Sequence, residues 1–248
     1  QIIDAIPMGD TGFDTVKYME ETTFTNNAAE RAEAGEAGEA ALAYTERSAE
    51  VEDISVWLPV TDRQMEDEPR VRSLINNRLP FMLRQRLDSQ VVNGDGSTPN
   101  LEGILNKSGI QTFARNGDQF DELYKAARLV RVTGRAMPNV MGIHPTDWEG
   151  IRTARTNDGL YILGNPDQPG PSRIWGLRVI ESDAMPQDSV LVGDFANYLE
   201  LVWKRGLVLE YTNSHSDYFI KFKTAVRASI RVSNVIYRPA AFCVITSF

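Results

Sequence analysis

One cysteine, two histidines and no lysine between Lys17 and Lys107 set the first limits on this 248-residue chain. With Cys243 alone, no disulfide can form within the chain and no cysteine-rich zinc site is available. That cysteine lies in the apolar run Phe242-Cys243-Val244 and reads as a small buried hydrophobe rather than a nucleophile. Its isolation fits a reducing compartment. His144 precedes Pro145, and His215 sits among Thr212, Asn213, Ser214 and Ser216. Both read as structural or surface residues at turns. No run approaches the ~18 apolar residues of a membrane span. Nothing at the start reads as a signal peptide. No G-x-S-x-G elbow, H-E-x-x-H pair or phosphate-binding loop occurs. Carboxylate pairs such as Glu20-Glu21 are too common in an acidic chain to mark acid–base chemistry. No catalytic residue, cofactor or metal site is expected. An α+β hydrolase stays as the alternative from another class, disfavoured by the missing triad and metal motifs.

What is present describes a folded chain. Hydrophobic residues make up 42% and charged residues 24%, enough for a core and against disorder. The length allows one large domain or two modest ones. The formal net charge of −8 argues against a general nucleic-acid binder. That charge is unevenly placed. Residues 28–53 hold eight acids against two bases, and residues 203–238 hold seven bases against two acids. Opposite segments on one chain suggest contact between copies, although two unrelated solvated faces would look the same.

The coarse elements follow from periodicity. Val16 and Tyr18 suggest a first strand, and residues 51–60 alternate as a second. Between them runs AAERAEAGEAGEAALA, helical in composition but broken by Gly35 and Gly38 and lacking an apolar face, so it is expected as an exposed tip. The two strands and this tip are expected to form a long hairpin arm that needs a partner surface. Residues 66–92 keep a helical period, with Glu66, Asp67, Glu68 and Pro69 at the start and Asn93-Gly94-Asp95-Gly96 as the stop. About 24 residues make a rod of ~36 Å. Pro80 should bend or break it. The Asn93–Gly96 run resembles the start of a calcium loop, but the later ligands and closing Glu are absent, so it reads as a tight turn. A helix around 120–130, a strand at 140–143, a helix at 145–156 and strands near 177–180, 190–192 and 198–202 follow. Even positions from Tyr218 to Val232 are mostly apolar, while Lys221, Lys223, Arg227 and Arg231 fall on the odd side. That period predicts ~50 Å of strand. A final strand is expected over 235–248.

Several segments, in order, carry a resemblance: Phe24-Thr25-Asn26-Asn27, PVTDRQMEDEP at 59–69, NGDGSTPNLEGIL at 93–105, IWGLRV at 174–179, VGDF at 192–195, DYFIK at 217–221 and YRPAA at 237–241. The chain resembles the major capsid proteins of tailed phages with the Hong Kong 97 (HK-97) fold. The resemblance implies an α+β fold with an axial A-domain, a peripheral P-domain with a long spine helix and long strands, and an extended hairpin, the E-loop. It divides the chain into 1–22 (P-domain), 23–61 (E-loop), 62–117 (P-domain with spine helix), 118–203 (A-domain), 204–233 (P-domain strands) and 234–248 (final A-domain strand). It implies a structural subunit assembling into pentamers and hexamers of an icosahedral shell around double-stranded DNA. Implied partners are further copies, portal, scaffolding and protease proteins and, in some members, a decoration or cement protein, with no membrane. The implied location is the virion capsid, assembled in the host cytoplasm. Encapsulin-like and gene-transfer-agent shells share the fold and stay as alternatives. The start at Gln1 rather than Met fits a processed or a disordered N-terminal segment.

Some members lock their shells with isopeptide bonds that need a lysine, an asparagine and a nearby carboxylate. The resemblance puts Ala37, Phe222 and Ser229 at those three places, so no autocatalytic crosslinking by this route is expected. Contact between copies is expected instead from Glu33, Glu36, Glu39 and Glu46 of one subunit against Lys221, Lys223, Arg227 and Arg231 of another.

Overall fold

The computed structural model describes residues 1–31, 33, 39–67, 69–156, 158–163 and 173–248. In chain order it has β1 (Met8–Asp10), β2 (Thr15–Thr25), β3 (Ala41–Glu50), β4 (Glu52–Thr61), α1 (Asp62–Asp67), α2 (Pro69–Asn93), β5 (Gln111–Ala114), α3 (Gln119–Val132), β6 (Val140–Ile143), α4 (Pro145–Thr153), β7 (Arg173–Ile174), β8 (Leu177–Glu181), β9 (Ser189–Gly193), α5 (Phe195–Tyr198), β10 (Leu199–Thr212), β11 (Lys223–Ile236) and β12 (Phe242–Thr246). They build three sheets: four strands in the order β1-β10-β11-β4, six in the order β5-β12-β9-β6-β8-β7, and the two-stranded arm β2-β3.

The helix α2 lies across β4 and β11. Leu79, Leu83, Leu87 and Val91 recur every four residues and are buried in the common core, so one stripe of the rod faces the sheet. Pro80 does not break it: α2 runs unbroken from Pro69 to Asn93. The buried leucines on either side of the proline offset the one backbone hydrogen bond it cannot donate. Asp88, fully buried on this helix, accepts from the Ile3 amide at 2.9 Å and from the Ser182 hydroxyl. One carboxylate thus ties the N-terminal turn, α2 and the segment after β8 together.

The turn at Asn93–Gly96 forms as expected. Asp95 Oδ1 accepts from the Ser97 amide at 3.0 Å, and the Gly94 amide bonds back to Gln90 at 2.8 Å. A Cβ on Gly94 would sit 2.1 Å from the Leu101 carbonyl oxygen, which explains the glycine. His144 caps α4, its Nδ1 accepting from the Thr146 amide at 3.2 Å, and Cys243 is buried in β12, which pushes its thiol up to about 12.

Three strand expectations need correction. The partner of β2 is β3, in register from Thr15↔Glu50 to Thr25↔Ala41, and not the 51–60 strand. That strand, β4, pairs instead with β11 over Glu52↔Val232 to Thr61↔Lys223. Its alternation reflects burial of one face against α2, whereas nearly all of β3 is exposed and carries no hydrophobic period. The long strand starts at Lys223 rather than Tyr218 and continues to Ile236. Residues 217–222 form a turn, with Lys221 and Lys223 amides bonding to the Asp217 and Tyr218 carbonyls and left-handed backbone at Ser216 and Phe222. The final strand over 235–248 is split. Val235 and Ile236 end β11, a one-turn 3-10 helix at Pro239–Ala241 redirects the chain, and β12 joins the six-stranded sheet.

Candidate functional site

The arm β2-β3 projects from the four-stranded sheet and presents two unlike faces. Val16, Tyr18 and Glu20, opposite Ala49, Arg47 and Thr45, face the body. Tyr18 packs edge-on against Tyr237, with ring centres 5.9 Å apart, in a small cluster with Val202 and Val235. The other face exposes Met19, Leu42 and Tyr44. An arm of two strands cannot be stable by its ladder alone, so its root needs an anchor.

That anchor is a buried polar network. Lys107 Nζ, whose side chain is 4% exposed, lies 3.1 Å from Glu20 Oε2, 2.8 Å from Glu102 Oε2 and 3.2 Å from the Tyr18 hydroxyl. Arg47 Nε stands 3.4 Å from the same Glu20 oxygen, and Glu20 is itself 6% exposed. Burial works to lower the Lys107 ammonium, but its bonds to Glu102 and Tyr18 outweigh it and hold the group above the usual lysine range. Burial raises the Tyr18 phenol against the opposing pull of Lys107. Tyr237 is pushed well above the ordinary tyrosine range, first by burial and then by its bond to Glu200. Arg238 Nη2 adds a 3.5 Å contact to Glu21, and the Glu21 amide bonds to the Tyr237 carbonyl at 3.0 Å. The sequence named Tyr18, Glu20-Glu21 and Lys107 for other reasons and gave no sign that they meet. Lys107 and Glu20 are 87 positions apart, and only the fold joins them.

The residues singled out from the sequence do not form one cluster. Phe222 is 74% exposed at the end of the turn before β11. Ser229 is buried mid-strand, where its hydroxyl accepts from Arg205 Nη2 at 2.9 Å. Ala37 and Glu36 lie outside the described residues. Glu33 and Glu39 are exposed near the arm's tip, and Glu46 is paired with Lys17 at 3.0 Å. The bases of β11 and of the turn before it already have partners within the chain. Lys221 pairs with Asp217, Arg227 with Glu210, and Arg231 with Asp14 at 3.1 Å and Asp53 at 3.3 Å. Lys223 stands over the Tyr218 ring, 6.0 Å from its centre. Asp14 is held below the usual carboxylate range first by its bond to Lys204 and then by Arg231, Glu210 by Arg227, and Asp217 by Lys221. The sheet face read as basic therefore alternates bases with acids from β4, β10 and the start of β2.

A second exposed feature is apolar. Phe219, Ile220 and Phe222 protrude from the turn between β10 and β11. Beside them an open groove is lined by Trp57, Tyr211, His215 and Arg227. Leu74, Phe81 and Met82 are exposed along α2. These exposed large side chains are candidate contact surfaces. Among the described residues no cluster of histidine, cysteine and carboxylates could ligate a metal directly, and no helix is long and apolar enough to cross a membrane.

An arm on a buried root, a long helix over a long-stranded sheet and a separate six-stranded sheet agree with the comparisons. The profile of the phage capsid family matches residues 2–247. The chain belongs to the phage capsid family. The major capsid protein of Enterobacteria phage HK97 is 29% identical over 243 residues, covering 97% of this chain. The chain spans 63% of that relative's length. The capsid of a native GTA particle superposes with a TM-score of 0.80 at 14% identity, covering 99% of this chain and 89% of the other. A chain of Mycobacterium phage Adephagia gives 0.75 at 14% identity, covering 99% and 89%. The architecture is the α+β fold of Hong Kong 97-type capsid proteins.

Proposed function

We propose that this member of the phage capsid family is the shell-forming subunit of an icosahedral head, assembling as pentamers and hexamers around double-stranded DNA. The observation that carries this reading is the arm, anchored at its root and exposed along β3, with Met19, Leu42 and Tyr44 left for a neighbouring copy. In this reading residues 15–50, rather than the expected 23–61, serve as the E-loop, because β4 pairs with β11 and β2 with β3. The four-stranded sheet with α2 serves as the P-domain. The six-stranded sheet with α3 and α4 serves as the A-domain around the symmetry axes. The role is structural rather than enzymatic, in the virion, with assembly in the host cytoplasm. Portal, scaffolding and protease proteins, and in some shells a decoration protein, would act on it during assembly.

We further propose that the shell holds without autocatalytic crosslinks, because Ala37, Phe222 and Ser229 cannot supply the amine, amide and carboxylate. Contacts of Glu33, Glu36, Glu39 and Glu46 with Lys221, Lys223, Arg227 and Arg231 of a neighbouring copy set the register. Each would replace an existing pair within the chain, and exposed pairs are worth at most ~1 kcal/mol. Cohesion then falls mainly to apolar contacts of the arm and of Phe219, Ile220 and Phe222. High salt and Lys221→Glu with Lys223→Glu should each impair assembly through these contacts; shells equally stable in high and low salt, with the variant still assembling, would contradict them. Sedimentation with negative-stain microscopy of the purified chain tests the main reading. Closed shells, or rings of five and six, support it. A monomer that never assembles under any condition contradicts it.

A further inference from the structure

The dipeptide Asn-Gly occurs twice, at Asn93-Gly94 and at Asn116-Gly117, and the fold treats the two differently. A glycine after asparagine leaves the backbone nitrogen open to the asparagine's own side chain, because no Cβ stands in the way. Reaction between them then depends on whether the fold leaves both groups free to meet.

At Asn93-Gly94 both groups are engaged elsewhere. Asn93 closes α2, and its Nδ2 donates to the Ala184 carbonyl. Its own carbonyl accepts from Asn106 Nδ2 at 2.9 Å. The Gly94 amide donates to the Gln90 carbonyl at 2.8 Å, and the Gly94 carbonyl accepts from the Gly103 amide at 2.9 Å. Asn116-Gly117 lies instead on the link between β5 and α3, outside any helix or strand, and both residues are exposed. Among the described residues neither the Asn116 side chain nor the Gly117 amide has a hydrogen-bond partner. Arg115 Nε donates to the Gly117 carbonyl at 3.1 Å, which leaves the nitrogen free. The two ends of the link are fixed. The Arg115 amide donates to the Thr246 carbonyl at 3.0 Å, and Asp118 caps α3 by accepting from the Phe120 amide at 2.9 Å.

We propose that Asn116 is a site of spontaneous modification, converting to aspartate and isoaspartate in the folded protein. The Gly117 nitrogen loses its proton to water and attacks the Asn116 side-chain carbonyl carbon. A new carbon–nitrogen bond closes a five-membered imide. The carbon–nitrogen bond of the side-chain amide breaks, and that nitrogen leaves as ammonia with a proton taken from water. Water then adds to one imide carbonyl and reopens the ring. Breaking the new bond gives aspartate, and breaking the original peptide bond gives isoaspartate. The sum is one water consumed, one ammonia released and one negative charge gained. Isoaspartate also adds one carbon to the main chain between β5 and α3. The new charge falls beside Asp118, Asp121 and Glu122 at the start of α3.

The test ages the full chain in neutral buffer, folded or in denaturing urea, and digests it with pepsin in acid, where the imide forms slowly. Mass spectrometry then reads amide-to-acid conversion at both asparagines. In the folded chain Asn116 should convert at least about tenfold faster than Asn93, whose bonds must first open. In urea the two should convert at similar rates, and mildly alkaline buffer should speed both. Isoelectric focusing of the aged folded chain should show an acidic species. Asn116→Gln should remove it, because the longer side chain would have to close a less favourable six-membered ring. Equal rates at the two sites in the folded chain, or an Asn116 that stays intact there while converting in urea, would overturn the proposal.

Discussion

Replacing Lys107 by methionine tests how the arm is held. The ammonium touches two carboxylates and a phenol while almost fully removed from water. Methionine fills a similar volume without charge, leaving Glu20 buried with only Arg47 at 3.4 Å to compensate. Removing one partner of a buried pair costs about 3–5 kcal/mol. Glu102 is half exposed and recovers water, and Arg47 still faces Glu20, so the expected loss is about 2–4 kcal/mol. The defect is local. Hydrogen exchange should therefore show faster opening of Thr15–Thr25 and Ala41–Glu50 while α2 keeps its protection. Adding Glu20→Gln to Lys107→Met removes the stranded charge, and the pair should recover at least about 1 kcal/mol relative to the single variant. A Lys107→Met protein within about 0.5 kcal/mol of the parent, or a double variant no better than the single one, would refute the anchor argument.

Other outcomes follow from the same geometry. Leu83→Ala, in the fully packed stripe of α2, should cost about 2–5 kcal/mol in urea unfolding. Asp14, Glu210 and Asp217 have folded pKa values below their ordinary ones, so the stability they add is present above about pH 4 and is lost as pH falls through the folded values. Acid titration of unfolding should show that loss, and Asp14→Asn should reduce it. Lys107, Tyr18 and Tyr237 are all raised, so their contribution is complete below about pH 10 and disappears as pH climbs through the folded values. The arm's exchange protection should fall first under alkaline conditions. Assembled shells boiled in denaturant should run as single chains on a gel, with no ladder of joined subunits.

The elements readable from the sequence were those whose burial is one-sided and local. The stripe through Leu79, Leu83 and Leu87 and the alternation of β4 each have one face against the core. The outer strand of the arm was not readable, because β3 is wet on both faces and ALAYTERSAE carries no period. The neighbouring apolar strand therefore reads, from sequence alone, as the arm's second half. Likewise Tyr218, Ile220 and Phe222 continue the alternation of β11 without being in it. Ile220 and Phe222 are apolar yet exposed and Tyr218 packs on His215, so composition mimics a strand where the chain turns. The order of motifs carried the family. The anchor around Lys107 depends on side chains that meet only across the fold, and local pattern holds no trace of it.

The most direct test of the account is a cryo-electron microscopy map of the assembled particle at side-chain resolution. It should show the arm over 15–50 of each copy lying across an adjacent subunit, with Leu42 and Tyr44 covered and Lys107 still joined to Glu20 at the root. An arm folded back on its own subunit, or left in solvent with those side chains uncovered, would contradict it.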